Sequence, residues 1–431
     1  MTTTYDPHHP AYLDEADVRE ELARVHDLCN GCRRCTDLCT VFPTLFEMLD
    51  GVRDHDAGLL TPSQQDRVSA PCYQCKLCYL NCPYVPGQHE RAIDFPRLMQ
   101  RATAMQWTNG VASAGEKRTT RILGRPRLLG RLATLPSTGD GHGSLFRKAV
   151  SRLTGVSAVR LLPPTARQRF STWFRERPKV SLVRAVGRVT VFPTCLVEYQ
   201  QPDIGKDLVK VYERNGIECE HTAAGCCGAA WLEAGDVEHF RRVAEANVAT
   251  LAAEVRTGTE IVVPQPTCSY AIRQEYPRHV GDALAADARL VADHTHDAAE
   301  YLVDIHASGH AALDIDFAGD LPDRITYHAP CRLRAQDIGL TSRDLLKLTG
   351  ADVTVVQHCS GMGGTWGLRA GNEDVSVSVA ARLGAEIESA GGDAVAGDCH
   401  FANTAIVEQT GRTPHHPLQI IARAYGIAEE L

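Results

Sequence analysis

Apolar residues recur with two different periods along this chain, and the change of period divides it. Near the start, Val18, Leu22 and Val25 fall at i, i+4 and i+7, the spacing of one helix face. Asp14, Glu15 and Asp17 place negative charge where the N-terminal end of a helix dipole favours it. Together they predict a helix over Leu13–Asp27. Beyond residue 188, short β-branched runs take over, and Val189–Phe192, Ile261–Val263, Ile325–Tyr327 and Val353–Val356 read as strands. They alternate with longer stretches that predict helices over Asp203–Asn215, Val237–Thr257, Ser342–Leu348 and Val375–Ser389. Strand alternating with helix predicts a parallel α/β sheet.

The second half also repeats itself. Arg188 to Cys195 aligns with Arg324 to Cys331, Cys226-Cys227-Gly228 with Cys359-Ser360-Gly361, and Ile261 to Cys268 with Ala394 to Cys399. The cysteine offsets are 136, 133 and 131 residues, so one domain occurs twice. Between the helical start and the duplication, Gly and Pro break the pattern at Gly124, Pro126, Pro136, Gly139, Gly141, Gly143, Pro163 and Pro164. Short helices are predicted there over Leu145–Leu153 and Ala166–Phe174, with Phe170, Trp173 and Phe174 packed on a neighbouring domain. The predicted organisation is a helical module over 1–110, a basic connector over 111–187, and two copies over 188–310 and 311–431.

Composition changes little in this picture: 44% hydrophobic and 23% charged residues are ordinary for a globular chain. Charge is uneven. Lys117 to Arg188 carries 17 Lys or Arg against Asp140 and Glu176, a net of +15, so the remainder carries −23. Such a stretch suits an acidic partner or anionic headgroups. No nucleic-acid motif accompanies it, and nucleic acid is not an expected partner. There is no signal-peptide pattern and no apolar run long enough to span a bilayer, which together predict a cytoplasmic protein.

Candidate chemistry rests on cysteine. Cys29, Cys32, Cys35 and Cys39 form C-x2-C-x2-C-x3-C, and Cys72, Cys75, Cys78 and Cys82 repeat it, closed by Pro83. This spacing holds 4Fe–4S clusters, the fourth cysteine ligating the other cluster. It assigns Cys29, Cys32, Cys35 and Cys82 to one cluster, and Cys72, Cys75, Cys78 and Cys39 to a second. Structural zinc favours separated pairs, and disulfides need an oxidising compartment. The long interval from Cys39 to Cys72 suggests a helical ferredoxin with cysteine runs between helices. In the duplicated part no Gly-Lys-Ser/Thr follows Gly361, Gly363 and Gly364, and no dinucleotide fingerprint opens a helix. Those glycines are expected to turn the backbone tightly around a second site.

These motifs together resemble an iron–sulfur oxidoreductase family that includes the C subunit of anaerobic glycerol-3-phosphate dehydrogenase and proteins related to heterodisulfide reductase. The matching pieces are Cys29 to Cys32, Cys72 to Cys78, Asp94 to Met99, Pro266 to Cys268, Tyr327 to Cys331 and Gly364 to Gly367. The resemblance implies an α+β multidomain fold: an α-helical ferredoxin with two 4Fe–4S clusters, then a duplicated α/β Cys-Cys-Gly domain. In such relatives each copy carries five cysteines around a non-cubane cluster. Carried over, the first copy keeps Cys195, Cys226, Cys227 and Cys268, with Ala271 at the fifth position. The second keeps Cys331, Cys359 and Cys399, with Ser360 and Ala402 at the others. An additional cluster is thus a candidate for the first copy. The second needs a further ligand, for which His328, His358, His400 or Ser360 are placed. Cys219 matches no motif position and reads as a spare thiol.

The implied function is electron relay between a flavin-dependent dehydrogenase subunit, or another redox protein, and quinone or another acceptor. Peripheral association with the inner face of the cell membrane is compatible with it. Two rivals remain: a self-contained disulfide or quinone reductase acting at the Cys-Cys-Gly site, and a cluster-based redox sensor or scaffold. No catalytic acid or base is assigned.

Overall fold

The computed structural model describes residues 5–125, 145–162, 165–180, 182 and 185–428. The connector positions Pro126, Pro136, Gly139, Gly141, Gly143, Pro163 and Pro164 lie outside them.

The N-terminal part is helical. Its first helix runs Glu15–Cys32, capped by Asp14, whose carboxylate accepts from the Asp17 amide at 2.9 Å. It therefore extends past the predicted end at Asp27 and carries Cys29 and Cys32 itself, stopping where Arg33 turns left-handed (φ 48°). Val18, Leu22 and Val25 are fully buried, as the period demands, in one core with Phe42, Leu45, Leu49, Phe95, Leu98 and Met99. The Phe42 and Phe95 rings lie 4.9 Å apart. Helix Phe95–Thr108 starts at the Asp94 cap with Pro in its first turn, where the missing N–H costs nothing.

In the connector, helices span Ala114–Leu123, Leu145–Thr154 and Phe170–Glu176. The last begins four residues later than the pattern predicts, because Arg169 is still extended (ψ 153°). Phe170 is fully buried on the first copy among Val197, Ile204 and Leu208, with Trp173 and Phe174 beside it. Not all of the basic charge faces outward. Arg160 is fully buried and pairs with Glu408 at 3.0 Å, and Arg177 pairs with Glu213 at 2.7 Å. No helix among the described residues is long and apolar enough to cross a membrane.

Each copy is a parallel sheet under helices. The first comprises β1 (Gly187–Val191), β2 (Ile217–His221), β3 (Glu260–Val263) and β4 (Thr295–Asp297) in the order β2-β1-β3-β4. The second comprises β5 (Arg324–His328), β6 (Asp352–Val356) and β7 (Ala394–Gly397) in the order β6-β5-β7. The first three strands of each copy thus share one topology, with β1 central (Val189↔Cys219, Thr190↔Ile261) and β5 central (Thr326↔Thr354, Thr326↔Val395). Even the fourth strand leaves a trace, a single parallel bridge Ala396↔His415. Each copy then opens a helix with a capping box, Asp297 with Glu300 and His416 with Gln419. The copies share a core in which Leu208 and Tyr212 meet Leu418, Ile421 and Tyr425.

Candidate metal centre

Four groups of cysteines form from distant parts of the chain. Cys29 and Cys32 project from the end of the first helix, Cys35 from the turn after it, and Cys82 from the C-cap of helix Leu77–Asn81. These four line one cavity, walled by Leu28, Phe42, Phe46 and Ile93. The Tyr84 amide donates to Cys82 Sγ at 3.4 Å. Burial raises the Cys29 thiol pKa above its ordinary range, and the charges of Cys35, Cys82 and Cys32 add to it.

The second group is Cys72, Cys75 and Cys78 with Cys39. Burial, then the charges of Cys75, Cys72 and Cys39, push the Cys78 thiol well up. Gln74 and Lys76, interleaved with the cysteines, both sit left-handed (φ 56° and 69°). Such positions cost on the order of 1–3 kcal/mol each, so the wrap of this segment is imposed by its surroundings. Gln74 Nε2 donates to Cys72 Sγ at 3.6 Å. Lys76 is buried, 3.6 Å from the Glu275 carboxylate of the first copy.

The remaining groups lie at the carboxyl ends of the parallel strands, where ligands of open α/β sheets gather. In the first copy Cys195 follows β1, Cys226 and Cys227 follow β2, and Cys268 follows β3. Cys227 Sγ is 3.1 Å from Cys268 Sγ. A hydrogen bond between the Cys195 and Cys226 thiols raises the pKa of Cys195 and lowers that of Cys226. Gly228 (φ 81°) turns the chain directly after the pair. Ala271, at the missing fifth position, opens a π-helical turn over Ala271–Glu275. A cavity of about 730 Å³ opens onto Cys195 and Cys226 and is bordered by Tyr199, His221, Arg125 and Arg169.

In the second copy Cys331, Cys359 and Cys399 line one cavity with His328, His358 and Ser360. The Gly361 amide donates to Cys359 Sγ at 3.3 Å, and Gln265 Nε2 of the first copy reaches Cys399 Sγ at 3.6 Å. Gly361, Gly363 and Gly364 are all left-handed (φ 68°, 47° and 61°). The three histidines part company here. His400 Nδ1 bonds Gln201 Oε1 at 2.8 Å, turned toward the first copy, and half-exposed His358 pairs with Glu386 at 2.5 Å. Only His328 is both buried and on the cavity wall with a ring nitrogen unpartnered. Cys219 is buried in β2 within the shared core, away from the other thiols.

Comparison with known proteins finds matches for both copies. The cysteine-rich domain family (CCG) matches residues 189–273 and 325–406. The C subunit of anaerobic glycerol-3-phosphate dehydrogenase from Escherichia coli (strain K12) is 28% identical over 282 residues, 64% of this chain and 69% of that protein. Lactate utilization protein A of Bacillus cereus (strain B4264) is 30% identical over 191 residues, 42% of this chain and 75% of that protein. The chain belongs to the Cys-Cys-Gly iron–sulfur oxidoreductase family. As a member, it is an iron–sulfur electron-transfer protein.

The residues present fit such a group. Among the described residues, one set brings three metal-ligand atoms within 4.8 Å of one another: His296, Glu300 and Asp304. The sulfurs around a single tetrahedral zinc lie about 3.8 Å apart. Although Cys227 and Cys268 approach to 3.1 Å, no three cysteine sulfurs among the described residues lie within 4.8 Å of one another. Each group as a whole is therefore too wide for a single zinc and suits a polynuclear cluster. The family's sulfur chemistry also brings in residues that spacing could not single out. Tyr73, Lys76 and Gln265 are neither ligands nor regularly spaced, yet each bridges two thiol groups or two domains.

Proposed function

We propose that the chain passes electrons between a flavin-dependent dehydrogenase partner and quinone or another acceptor. Two 4Fe–4S clusters are held by Cys29, Cys32, Cys35 and Cys82, and by Cys72, Cys75, Cys78 and Cys39. A further, non-cubane cluster is held by Cys195, Cys226, Cys227 and Cys268, with the Cys331, Cys359 and Cys399 site beside it. The reading keeps the 1–110 ferredoxin module, the 111–187 connector and the two copies over 188–310 and 311–431 as functional units. A bound cluster supplies one-electron storage at a potential set by burial, charge and hydrogen bonds to sulfur.

The supporting observation is the pairing of Cys39 with the later cysteine run and of Cys82 with the earlier one. Cys82 lines one cavity with Cys29, Cys32 and Cys35, while burial, then the charges of Cys75 and Cys72, raises the Cys39 thiol. This chain's own residues hold the sulfurs in place and donate hydrogen bonds to them: Gln74 to Cys72, Tyr84 to Cys82 and Gly361 to Cys359. The cavity at Cys195 and Cys226 gives a small acceptor access to the first copy. A cytoplasmic location, peripheral on the inner face of the membrane, accords with the basic stretch from Lys117 to Arg188.

Iron and sulfide analysis with EPR on anaerobically reconstituted protein tests the assignment. About twelve or more irons per chain, with one signal lost in Cys227→Ala, supports it; about eight, with cubane signals alone, removes the first-copy cluster. The close approach of Cys227 and Cys268 favours a second reading, a dithiol reductase. That reading predicts turnover of a disulfide with an artificial donor and no partner subunit.

A further inference from the structure

We infer that the second copy, despite its missing cysteines, holds its own iron–sulfur cluster, ligated by Cys331, Cys359, Cys399 and Nδ1 of His328. This rests on the relay reading and deepens it. His328 ends β5, three residues before Cys331, and is 2% exposed. Its Nε2 lies 3.0 Å from the His358 carbonyl oxygen. A carbonyl only accepts, so Nε2 carries the proton and Nδ1 keeps its lone pair. That lone pair is buried and has no hydrogen-bond partner. A buried, unpartnered acceptor is costly, whereas an imidazole anchored through its other nitrogen to a carbonyl is the usual arrangement of a metal-bound histidine. Histidine replaces cysteine on iron in Rieske centres. A nitrogen donor is therefore compatible with a cluster here.

The position strengthens the case. Leu77, between the N-terminal Cys75 and Cys78, forms part of the same cavity wall. The Cys359 charge is felt by Cys39 and Cys75 on one side, and Cys399 accepts from Gln265 of the first copy on the other. Thr267, Gly364 and Phe401 line both this cavity and the one at Cys195, Cys227 and Cys268. The site thus lies between the N-terminal clusters and the first copy, where a relay needs a stepping point.

Full-length protein with 15N-histidine, reconstituted and reduced, tests the ligand by hyperfine spectroscopy. A strongly coupled nitrogen in wild type that vanishes in His328→Ala and persists in His358→Gln is the expected result. Cys399→Ser is expected to lower iron by about four per chain while both cubane signals remain. Circular dichroism confirms that each variant is folded. Unchanged iron in folded Cys399→Ser overturns the cluster, and a cluster without coupled nitrogen in wild type overturns the histidine ligand. Wild type lacking cubane signals would defeat the relay reading itself, and this inference with it. His328→Cys is expected to retain the cluster at a lower potential, because thiolate replaces neutral imidazole.

Discussion

The ring of Tyr73, between two cysteines of the N-terminal module, lies 5.3 Å from the ring of Trp366 in the second copy. Trp366 Nε1 also donates to the Ala70 carbonyl at 3.3 Å. The contact is tight because Gly363 has no side chain: a Cβ there would stand 2.3 Å from Tyr73 Cβ, at a backbone φ of 47°. Gly363→Ala is therefore expected to push the module off the second copy, costing about 3 kcal/mol from overpacking and strain. Denaturant melts and protease sensitivity between residues 110 and 187 report it. A wild-type melt and cleavage pattern would refute the close approach.

Lys76 and Glu275 tie the same module to the first copy, at 6% and 2% exposure. Burial opposes ionisation of Glu275, yet the charges of Lys76, His279, Arg97 and Arg278 outweigh it and bring its pKa to about 2. Lys76→Met removes the largest of these charges and leaves the carboxylate to His279, Arg97 and Arg278. A loss of about 3 kcal/mol, the low end for breaking a buried pair, is therefore expected. The double variant with Glu275→Met is expected to recover most of it. A double-mutant cycle from urea melts measures the coupling, and additive losses would contradict it.

His416 gives a pH dependence in which no thiol takes part. Burial lowers its pKa to about 4, against a smaller raising effect from its hydrogen bond to Pro264. Its Nδ1 accepts the Leu418 amide at 3.2 Å as a helix cap, which protonation would abolish. The folded form takes up fewer protons than the unfolded chain below pH 6.5, so stability falls as pH drops from 6.5 toward 4. This residue contributes about 3 kcal/mol to that fall. His416→Asn keeps a capping acceptor without a titrating ring and is expected to make the fall shallower, as thermal melts at stepped pH can show. The part left is due to His26, His328 and His400, which burial also lowers to about 4.

Cys219 and Cys227 are both buried in the first copy but face different surroundings. Cys219→Ala removes one sulfur from the core beneath β2 and is expected to cost about 1 kcal/mol with iron content unchanged. Cys227→Ala is expected to lose iron with little change in the melt of the metal-free protein. Iron loss in Cys219→Ala would show that a thiol outside the motif takes part.

The sequence disclosed the duplication and most strand positions because β-branched runs next to cysteines occur twice at nearly constant offset. It missed β2, β4 and β7 as strands. Ile217–His221 carries two glutamates and a histidine, Thr295–Asp297 is three polar residues, and Ala394–Gly397 has only one β-branched residue. Their pairing is fixed by neighbours in the sheet rather than by local preference. The first helix outran its apolar pattern because Cys29 and Cys32 continue its buried side without looking like core positions. At the site, the cysteines were legible from spacing alone. The separation of His328 from His358 and His400 was not, since it depends on which carbonyl or side chain each ring meets after folding.

The loop carrying Gly363 and Trp366 closes over a segment that precedes it in the chain, Trp366 and Ala70 being 296 residues apart. Chains emerge N-terminus first and domains fold as they appear. The thiols of Cys72, Cys75 and Cys78 are thus made before the loop that encloses them. Cofactor delivery to the N-terminal module is therefore expected to have freer access before the second copy has folded over that face.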